Sequence, residues 1–290
     1  MKNLKAVISG TFRKALLTSA LLTAPVVGGF VVSQVAPEQT LFSVGSAIAQ
    51  TTPGALKPNP DPIQPRRVPA QGQRLSSEVE KVMEFLEPAE DSGRQPDYQR
   101  ALQVMNNAAR DIDSFNPNEK ALIYQILAQI YFNLENMPKV IENFEKVIAQ
   151  SPGFAVAQEA SITYTLAQLY LQEDDTAKAV DYFKRWSKIT NRITADQYFI
   201  VGQAFYSNDD VAGAQANVLE AIRLYEAEGR IPKEEWLAFM RAIYFFQENY
   251  KATADVVVQL VKHYPKLSYW KQHRELWPPS RLRMIPTKIC

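Results

Sequence analysis

A helical pattern that recurs along the chain constrains the fold more than any other feature. Residues 131–137 (YFNLENM) and 244–250 (YFFQENY) are alike, and a proline follows each stretch fifteen residues later, at Pro152 and Pro265. From Ser76 onward, apolar residues recur with a helical period in paired segments that short polar breaks separate. Self-similarity of this kind predicts an all-α repeat protein whose helix pairs stack on one another.

The repeat comes into register when four units are set to begin at Ala121, Ala160, Ala195 and Glu234. Small residues at position 8 of a unit let two antiparallel helices approach closely, and large residues at position 11 fill the space beside them. A small residue is also expected at position 20, and the fourth unit departs from the rule at Arg241 in position 8 and at Thr253 in position 20, so looser packing is expected there. Positions 8 and 11 are occupied by Ala128, Ala167, Gly202 and Arg241, and by Tyr131, Tyr170, Phe205 and Tyr244.

These spacings resemble the 34-residue tetratricopeptide-repeat family. The resemblance implies a right-handed solenoid of antiparallel helix pairs over residues 76–272, with four to five units. A degenerate unit is expected before the first, with helices near residues 76–87 and 97–112. Residues 273–290 contain three prolines and depart from the repeat, which leaves open a frameshifted end or a genuine irregular tail.

The first 49 residues have the features of an export signal. A basic start precedes the uncharged, mostly apolar run 15–32, and the small residues Ala47 and Ala49 precede a predicted cleavage after Ala49. An uncleaved membrane anchor is the alternative, because about 18 apolar residues can just span a bilayer. Either reading places the rest of the chain outside the cytoplasm, and the periplasm is expected. Residues 50–75 are rich in proline and are predicted to form an extended, mobile linker.

No pattern of catalytic or metal-binding residues is found. The net charge is +1, which gives no basic field for nucleic acid, and the sole cysteine is Cys290. His263 and His273 lie too far apart for a helical metal pair and are interpreted as surface residues. The acidic pairs 174–175 and 209–210 are interpreted as turn or capping residues. The chain is therefore predicted to be no enzyme and to use no cofactor or metal.

The resemblance to tetratricopeptide repeats also implies a binding groove. In that family, positions 9 and 12 of each first helix project into the concave surface. Here they would form a glutamine row beside a largely aromatic row, which suits a bound peptide. Alternatively, part of the aromatic row packs against the next repeat. No groove position is basic, which argues against the family's carboxylate clamp. The candidate groove residues are Gln129, Phe132, Gln168, Leu171, Gln203, Tyr206 and Phe245.

Residues 95–272 resemble a narrower group, the exported repeat proteins encoded beside TonB, ExbB and ExbD in Gram-negative bacteria. The runs RQPDY near Tyr98, LAQIY ending at Tyr131 and LSYWKQ ending at Gln272 carry this resemblance. It implies an accessory role in TonB-dependent energy transduction and iron uptake, with TonB, ExbB or ExbD as partners. Two other hypotheses stay open. One is an adaptor in outer-membrane assembly or peptidoglycan synthesis, and the other is a regulatory subunit or an enzyme with an unrecognised site.

Overall fold

The computed structural model describes residues 52–87 and 95–276, and within these ranges the chain is helical with no strand. The predicted signal peptide and residues 277–290 of the predicted tail lie outside the described residues. A short 3-10 helix, Ile112–Ser114, follows the second α-helix. The eleven α-helices of the described residues are α1 Gln73–Leu86, α2 Tyr98–Ala109, α3 Pro117–Asn133, α4 Met137–Ile148, α5 Val156–Gln172, α6 Thr176–Ser187, α7 Ala195–Ser207, α8 Val211–Ala227, α9 Glu234–Phe246, α10 Tyr250–His263 and α11 Leu267–Leu276.

The helices pack as consecutive pairs within two compact units. Unit 1 comprises residues 58–87 and 95–191 and contains the pairs α1–α2, α3–α4 and α5–α6. Unit 2 comprises residues 52–57 and 192–276 and contains the pairs α7–α8 and α9–α10, with α11 packed on α10. The predicted all-α class and its helix pairs are therefore confirmed. The degenerate first unit, expected from residue 76, corresponds to α1 and α2.

Four of the pairs turn in the same way. The residue after the C-cap of the first helix has a φ between 55° and 66°, and the next residue is an Asn or Asp. That side chain caps the second helix by accepting a hydrogen bond from the backbone N–H three residues on. The acidic pairs at 174–175 and 209–210 are thus turn and capping residues, as predicted. The four turns are Glu135–Asn136, Asp174–Asp175, Asp209–Asp210 and Glu248–Asn249.

The core of unit 1 depends on small residues where two helices meet. Ala128 and Ala167 are fully buried, as the position-8 rule predicts. A hydrogen bond ties neighbouring pairs together, because the Tyr170 hydroxyl on α5 donates to Glu145 on α4 at 2.6 Å. Burial, together with this carboxylate, raises the pKa of Tyr170 well above its usual range. The phenol therefore stays protonated and keeps its donor.

In unit 2 the helices α7 and α8 approach each other closely at Gly202. A Cβ placed on Gly202 of α7 would lie 2.5 Å from Val218 Cγ2 on α8. Deeper in the same unit, Trp236 of α9 is fully buried, and its ring packs edge-on against Tyr225 at 4.5 Å and stacks on Phe199 at 5.7 Å. Unit 2 is therefore densely packed at both of these places.

The α9–α10 pair differs in part from expectation. Thr253 is fully buried, and its hydroxyl donates to the carbonyl of Asn249, so the threonine fits without leaving its oxygen unpaired. Arg241 is half-buried and donates from Nη1 to Gln272 on α11. The helix α11 continues to Leu276, so the repeat region does not end in irregular structure directly after Gln272. His273 is only 5% exposed, and its interpretation as a surface residue is wrong, because α11 packs it inward.

The proline-rich stretch is hydrogen-bonded to folded parts of the chain at several points along its length. Residues 52–72 contain no helix, and 73–75 already belong to α1. In unit 2, Thr52 donates to Glu220 and the Leu56 N–H donates to Asn217. An extended linker that contacts no folded part of the chain would lack these hydrogen bonds. Proline limits helix formation but leaves the backbone carbonyls and side chains free to bind a folded surface.

Candidate protein-binding surfaces

The predicted groove residues of unit 1 differ in how far they are buried. Gln129 and Phe132 on α3 and Leu171 on α5 are half-buried, and Gln168 is only 5% exposed. Phe132 and Leu171 both pack against the same apolar core. These two side chains are therefore partly used in packing between helices, as in the alternative interpretation of the aromatic row. With so little of Gln168 exposed, its amide has almost no surface for a ligand.

In unit 2 the groove residues differ more widely in their exposure. Gln203 on α7 is only 7% exposed, and Tyr206 is half-buried with its ring edge-on against Phe239 at 5.3 Å. Phe245, near the end of α9, is instead 53% exposed. The predicted glutamine row is thus largely covered at Gln168 and Gln203, and Phe245 is the predicted site residue with the most accessible surface.

Phe245 belongs to an exposed group that we call the aromatic cluster, formed by Phe245, Phe246 and Tyr250. Phe246 is 53% and Tyr250 is 55% exposed, and both ring centroids lie 6.2 Å from that of Phe245 in edge-on geometry. The cluster occupies the end of α9 and the start of α10. Three large rings held together at a surface are costly to leave in water and are typical of a contact surface for another molecule.

The other large apolar side chains that the described residues leave exposed also belong to unit 2. Of the aromatic cluster, the groove positions of the tetratricopeptide pattern include only Phe245, because these positions lie on the first helix of each unit. Phe246 and Tyr250 stand at the turn of the pair, in the stretch 244–250, whose four aromatic residues are a signal that the groove assignment does not use. The remaining exposed apolar residues are Ile231, Val258, Leu267 and Trp270.

A second surface feature lies within unit 1, where residues 58–72 contact the rest of the unit; we call this segment the strap. Arg66 of the strap donates from Nη1 to Glu159 Oε2 at 2.5 Å. The Glu159 side chain is only 4% exposed and also accepts from Arg185 Nη2 at 2.9 Å and Ser151 Oγ at 2.8 Å. Burial alone would raise the pKa of Glu159, but these three donors outweigh it and hold the pKa below its ordinary value of 4.5.

This lowered pKa predicts how acid affects unit 1. A carboxylate with a folded-state pKa below its unfolded value stabilises the fold above the unfolded pKa and loses that contribution as the pH falls through the folded pKa. We expect the stability difference between the unaltered chain and Glu159→Gln to be constant from pH 8 to 5. It should shrink as the pH falls below about 4.5. Urea unfolding across this range measures it, and a difference that shrinks between pH 7 and 6 would contradict the assignment.

Other site types find no support in the described ranges. Within residues 52–87 and 95–276, no three His, Cys, Asp or Glu side chains come together as a metal site would require. His263 and His273 stand on different helices, α10 and α11. No helix in the part of the chain that the structure describes is both long and apolar enough to span a membrane.

Comparison with known proteins identifies one of the helix pairs. A tetratricopeptide-repeat family model matches residues 160–189, which include most of α5 and all of α6. The small residue Ala167 and the large residue Tyr170 of the repeat pattern both fall inside this match. The chain therefore carries a tetratricopeptide repeat. No curated protein was found to match it in sequence.

Several solved structures are similar in part. MamA from Desulfovibrio magneticus RS-1 is 14% identical with a TM-score of 0.46, and the match covers 67% of this chain and 96% of that one. YrrB, described as a tetratricopeptide-repeat protein with an unusual peptide-binding site, is 12% identical with a TM-score of 0.43. That match covers 60% of this chain and 87% of YrrB. At such scores, these likenesses add nothing to the repeat found in the chain's own residues.

Proposed function

We propose that the protein is a non-enzymatic scaffold of the periplasm that binds a protein of the TonB energy-transduction system through its aromatic cluster. The observation that carries this proposal is the exposure of Phe245, Phe246 and Tyr250 side by side on unit 2. A stable fold gains nothing from leaving three adjacent rings in water. A partner that covers them gains the burial free energy.

The chemistry of the cluster favours an apolar or amphipathic partner segment. Rings that meet edge-on leave ring faces and edges available for the side chains of another protein. Polar groups border the rings, because Gln247 at the same turn donates to Gln215 on α8 at 3.0 Å and Glu248 is exposed. An apolar centre with a polar border is the usual anatomy of a protein–protein contact.

The proposed location and partners rest on the sequence. The basic start, apolar run and small residues before position 50 favour export, and the resemblance over residues 95–272 favours TonB, ExbB or ExbD as partners. Membrane association would then be indirect or would occur through an uncleaved N-terminal segment. Iron uptake is the process that such a scaffold would serve.

The proposal is tested with the purified chain and the soluble periplasmic domains of TonB and ExbD in a binding titration. We expect the double variant Phe245→Ala, Phe246→Ala to weaken binding by at least ~10-fold, because central aromatic side chains dominate such contacts. The variant should keep the unfolding midpoint of the unaltered chain, since both side chains are largely exposed.

Leu267→Ala is the matched control. Leu267 is 71% exposed and apolar, lies in the same unit and stands outside the cluster. We expect this variant to bind as the unaltered chain does. Equal affinities for the control and the double variant, or no binding of either domain by any variant, would count against the proposal.

A further inference from the structure

The strap is bound to the rest of unit 1 mainly through polar contacts. Its Arg66 reaches Glu159, while the Gly72 N–H donates to Glu119 Oε1 at 2.8 Å and the Asn59 N–H donates to the Thr190 carbonyl at 2.8 Å. Two strap carbonyls, those of Pro69 and Ala70, accept hydrogen bonds from asparagine side chains at the start of α3. The strap therefore lies along unit 1 as a bound extended peptide would lie.

The surface beneath the strap is preformed. Glu159 is oriented by Arg185 and Ser151, and neither residue belongs to the strap. Glu119 is likewise held by the capping box of α3, in which the Asn116 N–H donates to Glu119 Oε2 at 2.9 Å. Both acceptors would keep their positions if the strap left. A preorganised site loses less entropy when it binds a ligand.

The strap itself is weakly buried. None of its residues is buried, and its apolar side chains Ile63 and Val68 are only half-buried. A segment that is held by hydrogen bonds and one ion pair, without a buried apolar anchor, opens locally at a small fraction of the global unfolding free energy. The strap can therefore leave its site while the helices stay folded.

The surface that the strap covers, with Glu159, Glu119 and the asparagines at the start of α3, is called the strap track. Because this surface is preformed and its occupant can detach, we infer that it is a second protein-binding site. It binds an extended segment of another protein, and this segment contains prolines and an arginine. Glu159 accepts hydrogen bonds from the arginine, and the asparagine side-chain amides at the start of α3 donate to the backbone carbonyls that follow it. Prolines favour this ligand, because they hold an extended backbone with little entropy left to lose. The strap is the built-in competitor.

The selectivity of the site resides in the arginine. Arg66 and Arg67 are adjacent, but Arg66 is 26% exposed and paired with Glu159, whereas Arg67 is exposed and has no side-chain hydrogen bond or ion pair within the described residues. A ligand is therefore recognised by one arginine in a fixed register along the track. This inference concerns unit 1 and does not use the aromatic cluster, so its failure would leave the proposed function standing.

The test uses the full chain and a fluorescent peptide with the sequence of residues 58–72, followed by anisotropy. We expect Arg66→Ala, which loosens the chain's own strap, to bind the peptide at least ~10-fold more tightly than the unaltered chain or Arg67→Ala. The two alanine variants lose the same charge from neighbouring positions, so a general charge effect would change both alike. Equal peptide affinities would overturn the inference.

Peptide variants keep the test decisive without altering the site. A peptide with alanine at the position of Arg66 should fail to bind the Arg66→Ala chain, and one with alanine at the position of Arg67 should bind it. Adding Glu159→Gln to that chain should abolish the gain. Absence of saturable binding would refute the site. So would a doubling of mass at high concentration without peptide binding, because it would indicate that the track takes the strap of a second copy instead.

Discussion

Gly202→Leu is expected to lower the free energy of unfolding of unit 2 by about 3 kcal/mol, at the upper end of the usual cost of overpacking a core. Already the first atom of a side chain would lie 2.5 Å from Val218 Cγ2 and 3.1 Å from the Ala214 carbonyl oxygen. Val218 and Ala214 are fully buried, so neither can move aside into solvent. The higher helix propensity of leucine returns less than about 1 kcal/mol, which leaves the substitution strongly unfavourable. Urea unfolding followed by circular dichroism measures the loss.

Ala227→Leu provides the matched control for this prediction. It adds a leucine side chain at the exposed end of α8, the helix that Gly202 faces. We expect a change within about 0.5 kcal/mol, as at other exposed positions. If Gly202→Leu were as stable as this control, the assignment of a close helix approach to position 8 of the repeat would be wrong.

Trp236→Ala is expected to cost about 4 kcal/mol, because it empties the largest fully buried side-chain volume in the described core. The ring contacts to Phe199 and Tyr225 would be lost together. Trp236→Phe should cost far less than the alanine variant. It keeps a ring in place and removes an indole N–H that is buried without a hydrogen-bond partner among the described residues. Thermal or urea unfolding of both variants checks this order.

Trp270→Ala separates the effect of burial from the loss of a tryptophan. Trp270 on α11 is 49% exposed, so its removal should cost clearly less than removal of Trp236. A loss as large as that for Trp236→Ala would contradict the assignment of Trp236 to the centre of unit 2.

The sequence alone could predict features that repeat locally. Ala128, Ala167 and Gly202 share one position in the repeat, and the structure buries all three. Asp175 and Asp210 stand at the start of apolar-periodic segments, which is where capping residues are expected, and both cap helices. Each of these inferences depends on residues within one helix pair, where spacing determines which side chains meet.

Features that depend on distant residues could not be predicted in this way. Arg66 and Glu159 are 93 positions apart, and Thr52 and Glu220 are 168 apart. No local pattern indicates that an extended proline-rich segment meets buried carboxylates. The accessibility of Gln168, Gln203 and Phe245 likewise depends on how neighbouring helices pack, although the repeat pattern assigns all three side chains to the groove.

Photocrosslinking in living cells tests most directly whether the aromatic cluster binds a protein of the TonB system, as we propose. A photoreactive residue would replace Phe245, and a control probe would replace Glu142, whose side chain is 41% exposed on unit 1. Mass spectrometry would identify what each probe captures. We expect TonB, ExbB or ExbD at position 245 and none of them at position 142. Capture of a barrel-assembly or cell-wall protein at position 245, or of no protein at all, would contradict it.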